Sequence, residues 1–168
     1  MFENLIKLVR QNAGDTIIDN PAIPNERNDE AVHETGNSII DTLKQALAGG
    51  NVKDVMKIFS GDSAQVNNNP LTRQASGSLI EKLISQFGLD GQQATKVADN
   101  LVPNVMNQLS QKTANPSDKS FDIQSIFNHL SGGKTGGMDI QGLLSKFKRG
   151  LDTDHDGDVD MQDLKGLF

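Results

Sequence analysis

Six aspartates fall within twelve residues near the C-terminus: Asp152, Asp154, Asp156, Asp158, Asp160 and Asp163. They occupy positions 1, 3, 5, 7, 9 and 12 of a segment running from 152 to 163, with Gly157 at position 6 and Val159 at position 8. In a tightly turning chain, alternate side chains converge. Converging carboxylates repel one another until a cation sits among them. Calcium is a hard ion that takes six to eight oxygens at about 2.3–2.6 Å, and carboxylates at this spacing are its usual ligands. Gly157 permits the turn that a side chain would obstruct. In this arrangement Asp152, Asp154, Asp156 and Asp163 offer side-chain oxygens. Asp158 offers its backbone carbonyl, Asp160 acts through a water, and Val159 points into an apolar core. The charge supports the reading. The chain has 22 acidic and 16 basic residues, and the six loop aspartates equal the whole excess of -6.

The segment resembles the calcium loop of the EF-hand family and that of dockerin modules. The resemblance implies one bound calcium ion. Two departures bear on affinity. Position 12 is Asp163 where an EF-hand usually has glutamate, which weakens calcium binding and admits magnesium. In the entering helix Leu144 and Leu151 fit the pattern, whereas Lys148 and Gly150 do not. A second, degenerate loop aligns upstream at residues 131–142, with Gly136 and Met138 matching Gly157 and Val159. It lacks carboxylates at positions 1, 3 and 5. A Gly-rich linker is the other reading of that stretch.

Little else in the chain suggests chemistry. There is no cysteine, which excludes disulfides and thiolate sites. Trp and Tyr are absent, so base stacking and aromatic cages lack their residues. An acidic chain is a poor partner for nucleic acid or an anionic membrane. His33, His129 and His155 have no nucleophile paired with them in sequence. Gly132-Gly133-Lys134-Thr135 lacks the spaced glycine and the preceding strand of a phosphate loop. The N-terminus lacks a secretory h-region, and no apolar run reaches 18 residues. The expectation is a cytoplasmic protein that is not an enzyme.

The remaining residues form the elements that must carry the loop. Apolar positions recur at helical spacing. Phe2, Leu5, Ile6 and Val9 mark a first helix, and a proline-containing loop follows from about Gly14 to Asn28. Val32, Ile39, Ile40, Leu43 and Leu47 mark a second helix, closed by Gly49-Gly50. Asn51 caps a third with Val52, Val55, Met56 and Phe59, and a polar turn spans 61–70. Leu79, Ile80, Leu83, Ile84 and Phe87 form a stripe stopped by Gly88. Asp90 opens a long helix containing Pro103, where a kink or break is expected. Ile123, Ile126, Phe127 and Leu130 mark a further helix, and Ile140, Leu143, Leu144 and Phe147 another. Met161, Leu164, Leu167 and Phe168 mark a last one. Asp122-Ile123-Gln124 recurs as Asp139-Ile140-Gln141 and Asp160-Met161-Gln162, each aspartate a good N-cap.

Gln86-Phe87-Gly88-Leu89, Gln93-Ala94, Leu101-Val102-Pro103 and Leu109, followed by the Gly-rich 132–137 segment and an Asp-capped helix, resemble the bacterial YidB-like family over residues 76 to 150. That resemblance implies a bacterial, soluble, helical protein without an assigned reaction.

The sequence therefore predicts an all-α protein, a compact bundle of seven to eight amphipathic helices. Residues 1–133 form a helical domain, and 134–168 form an EF-hand-like segment packed on it. The expected function is calcium binding. The alternative is an interaction or scaffold module with a purely structural metal site, which docks a protein partner through an exposed apolar helix face. A hydrolase with an unrecognised site is the third and weakest reading.

Overall fold

The computed structural model describes residues 2–115 and 117–148. Within them lie eight α-helices and no strand: α1 Phe2–Asn12, α2 Asn28–Ala48, α3 Val52–Ile58, α4 Ser63–Asn67, α5 Pro70–Phe87, α6 Gly91–Ala114, α7 Ile123–Leu130 and α8 Ile140–Lys148. The expected final helix at Met161–Phe168 lies outside the described residues.

The centre is a hairpin of α5 and α6, against which α1 and α2 pack. Its ends follow from local chemistry. Asn69 accepts a hydrogen bond from Leu71 N–H, and Pro70 sits in the first turn, where its missing donor costs nothing. Gly88 ends α5 at φ 72°, the left-handed conformation glycine adopts without strain. Asp90 opens α6 with a capping box. Its carboxylate accepts from Gln93 N–H at 2.8 Å, and the Gln93 side chain accepts from Asp90 N–H at 3.4 Å.

Of the kink or break expected at Pro103, the break does not occur. Helix α6 runs unbroken from Gly91 to Ala114 with Pro103 inside it. Leu101, Val102, Val105 and Met106, on both sides of the proline, are all buried to within 1%. Their burial holds the helix together across one missing hydrogen bond.

Other differences are local. The polar 61–70 stretch contains the five-residue α4, capped by Asp62 and anchored by the fully buried Val66. The proline-containing loop folds into a π-turn at Gly14–Ile18 and a 3-10 turn at Asn25–Arg27, and buries Ile17 and Ile23. Asn51 precedes α3 as expected, but its side chain makes no capping bond. Gly50, not Gly49, takes the left-handed conformation after α2. The buried face of α5 runs through Leu71, Ala75, Leu79, Leu83 and Phe87. It leaves Ile80 half-buried and Ile84 exposed at 44%.

One apolar cluster spans every helix from α1 to α8. Phe59 meets Phe127 edge-on with centroids 5.7 Å apart, which ties α7 to the end of α3. Such a contact adds about 0.5–1.5 kcal/mol beyond burial.

Candidate metal centre and its supports

The six carboxylates at Asp152, Asp154, Asp156, Asp158, Asp160 and Asp163 all lie outside the described residues, as do Gly157 and Val159. The structure brings none of them together and separates none of them. Among the described residues, no group of three or more His, Cys, Asp or Glu side chains converges as a metal site would. The Asp-rich segment is therefore where a metal reading has to stand.

What the structure does describe is the helix that leads into that segment. Helix α8 starts at Ile140 and reaches Lys148, four residues before Asp152. Its start is fixed from three directions. Asp139 accepts from Gly142 N–H at 2.8 Å, an N-cap bond. A Cβ on Gly142 would collide with the Asp139 carboxylate, so the glycine makes room for its own cap. Gln124, in the first turn of α7, accepts from Ile140 N–H at 3.0 Å and donates to the carbonyl of Thr135 at 3.1 Å. Ile140, Leu143 and Leu144 are buried against the common core. Helix α7 is capped in the same way, with Asp122 accepting from Ser125 N–H at 2.8 Å. Hydrogen bonds from Ser125 hold the Asp122 carboxyl below the usual carboxylate range. The aspartate cap of the recurring Asp-Ile-Gln therefore works in both described copies, and the glutamine bridge is seen in the first. The bridging role of Gln124 was not anticipated from the sequence, although the repeat marked the residue.

The stretch between α7 and α8 does not have the backbone of a calcium loop. Its left-handed glycines are Gly132, at φ 66°, and Gly133, at φ 90°. Gly136, aligned with the turn glycine Gly157, is not among the left-handed ones. Gly133 N–H bonds back to the carbonyl of Asn128 at 2.7 Å, the signature of a glycine-terminated helix. The linker reading of 131–138 fits this geometry. Ser131 Oγ lies 3.1 Å from Thr135 Oγ1 and closes the turn from inside.

Two of the three histidines, His33 and His129, lie among the described residues. His33 is exposed on α2, its ring 6.0 Å from that of Phe2, and His129 is exposed on α7. A cleft of about 320 Å³ opens beside the start of α8. It is lined by Thr113 and Ala114 from the end of α6, by Ile123, and by Asp139, Gln141, Gly142, Leu144 and Ser145. No described helix is long and apolar enough to cross a membrane.

No curated protein and no solved structure matches the chain. A family model does, over residues 69–165, which includes α5 to α8 and the Asp-rich segment. The match overlaps the stretch that resembles the YidB-like family and agrees with it at the level of a bacterial family without assigned activity. The chain thus belongs to DUF937, a family of bacterial proteins of unknown function.

Proposed function

We propose that this protein binds one calcium ion per chain through residues 152–163. Asp152, Asp154, Asp156 and Asp163 supply carboxylate oxygens, Asp158 its backbone carbonyl and Asp160 a bridging water. The observation that carries this reading is the spacing itself: acids at positions 1, 3, 5, 9 and 12, with glycine at 6 and an aliphatic residue at 8. The firmly capped α8 is described as far as Lys148, four residues before the first aspartate of the segment. Magnesium is the competing ion, because Asp163 is shorter than the usual glutamate. The reading is one of binding and not of catalysis, in a cytoplasmic protein.

Titration calorimetry on the full chain tests it. One calcium per chain is expected for the wild type and for Asp158→Asn, and none for Asp152→Ala, which loses the first ligand of the loop. Equal responses in all three, or no response in the wild type, would reduce the segment to a solvated acidic turn.

A second reading has one observation behind it. Ile84 is exposed on α5 beside the half-buried Ile80, which leaves an apolar spot where a scaffold would take a protein partner. In that case the ion serves structure alone, and its removal leaves partner binding intact.

A further inference from the structure

The outer face of α5 is arranged symmetrically about Gly77. This glycine stands near the middle of Pro70–Phe87, and an added Cβ there meets nothing within 4 Å. Arg73 lies four residues before it and Glu81 four residues after it, both exposed. Pro70 lies seven residues before it and Ile84 seven after it, both exposed as well. Steps of three, four and seven residues keep to one side of an α-helix. These positions therefore share the face turned away from the buried Leu71, Ala75, Leu79 and Leu83.

The two charges on this face are unmatched. Among the described residues, neither the Arg73 nor the Glu81 side chain makes an ion pair or a hydrogen bond. Neighbouring Lys82, by contrast, is held by Glu34 at 2.8 Å. Arg73 and Glu81 are also badly spaced to serve each other. Eight residues, more than two helical turns, separate them, whereas ion pairs along one helix form at a spacing of three or four. A second α5 laid antiparallel on the first, with a two-fold axis at Gly77, solves the problem. Residues equally far from the axis then face one another. Arg73 of each copy meets Glu81 of the other, so the pair occurs twice, as in any isologous contact. Pro70 of each copy meets Ile84 of the other. At the axis glycine meets glycine, and the missing Cβ atoms let the two helices approach at a shallow angle.

We propose that the α5 face centred on Gly77 is a self-complementary surface that pairs antiparallel with a second copy of this chain. The proposal builds on the docking reading of the Ile84 spot and names its occupant. One helix face is less than the roughly 1,200 Å² of a stable complex, so the pairing is weak and reversible.

Sedimentation equilibrium on the full chain, in chelator and followed by interference optics because Trp and Tyr are absent, tests it. Dimers should form at protein concentrations on the order of 100 μM. Arg73→Glu sets like charges opposite each other twice and should weaken the dimer by about tenfold, and Glu81→Arg should do the same. Joining the two reversals in one chain should restore wild-type pairing. So should an equal mixture of the two single variants, because each supplies the charge the other lacks. A role of either residue within its own chain does not produce that recovery. A wild type that stays monomeric to about 1 mM would overturn the pairing and leave the Ile84 spot to a different protein. A dimer indifferent to both reversals would overturn it too, since another face would then carry the association. A dimer that responds to the reversals but not to Ile84→Ser would keep the pairing and end the docking reading of Ile84.

Discussion

The Cδ1 atom of Ile6 lies 2.5 Å from where a Cβ on Gly36 would stand, so a side chain at position 36 requires the tip of Ile6 to move where α1 crosses α2. Gly36 is buried in the middle of a 21-residue helix, where glycine is otherwise a poor choice. Gly36→Ala should therefore destabilise the protein by about 1 kcal/mol, the overpacking outweighing the gain in helix propensity. Gly77, midway along α5, has nothing within 4 Å of its added Cβ. Gly77→Ala should stabilise by roughly 0.5–1 kcal/mol. Urea unfolding of the two variants should move the midpoint in opposite directions.

Pro103 gives a second substitution with a definite sign. The helix continues past it, and the carbonyl of Asp99 lacks the amide that any other residue at 103 would supply. Pro103→Ala restores that donor while giving the unfolded chain more freedom. A net gain of about 1–2 kcal/mol is expected in chemical denaturation.

Phe127 is 1% exposed and meets Phe59 edge-on. Phe127→Ala should cost about 3–5 kcal/mol. Because α8 hangs on α7 through Gln124, hydrogen exchange in residues 140–147 should accelerate with it. A variant in which α8 keeps its full protection would show that the two helices are not coupled.

Acid should act partly through the start of α7. The Asp122 carboxyl is held below its ordinary range by hydrogen bonds from Ser125. Its contribution is complete above the unfolded carboxylate value of about 3.9 and is lost as pH falls through the lower folded value. Asp122→Asn keeps an oxygen acceptor at the cap and removes the titrating charge. Stability measured between about pH 4 and pH 2 should fall less steeply in this variant than in the wild type.

Calcium should raise thermal stability by a modest amount. A dissociation constant of about 100 μM lies between sensor and extracellular loops and suits the short Asp163. At about 1 mM free calcium it gives roughly 1.4 kcal/mol. A rise in Tm of roughly 3–6 °C should then appear in a thermal scan. It should be absent in Asp152→Ala.

The helices were legible wherever apolar stripes and caps coincided. Asp90, Gly88, and the Ile123/Ile126/Phe127/Leu130 set all landed as expected, and the Gln93 half of the Asp90 cap was not read. Legibility failed where burial came from few residues. Helix α4 has one buried apolar side chain, Val66, and Ile17 and Ile23 sit in loop sequence without a period. Ile84 fits the α5 stripe on paper. The face is instead set by Leu71 and Ala75, which a stripe beginning at Leu79 does not include. For the candidate site, the ligand spacing is a property of the sequence, and its anchoring is not. Gln124 reaches Ile140 only because the glycine-terminated turn after α7 brings the chain back.

The family match begins at residue 69, yet the core does not divide there. Helices α1 and α2 cover α5 and α6 with side chains as deeply placed as Val9 and Ile39, each at 0% exposure. Residues 69–165 expressed alone would put that covered surface in water and should self-associate. The first 68 residues are then the part of this chain that keeps the buried faces of α5 and α6 out of water.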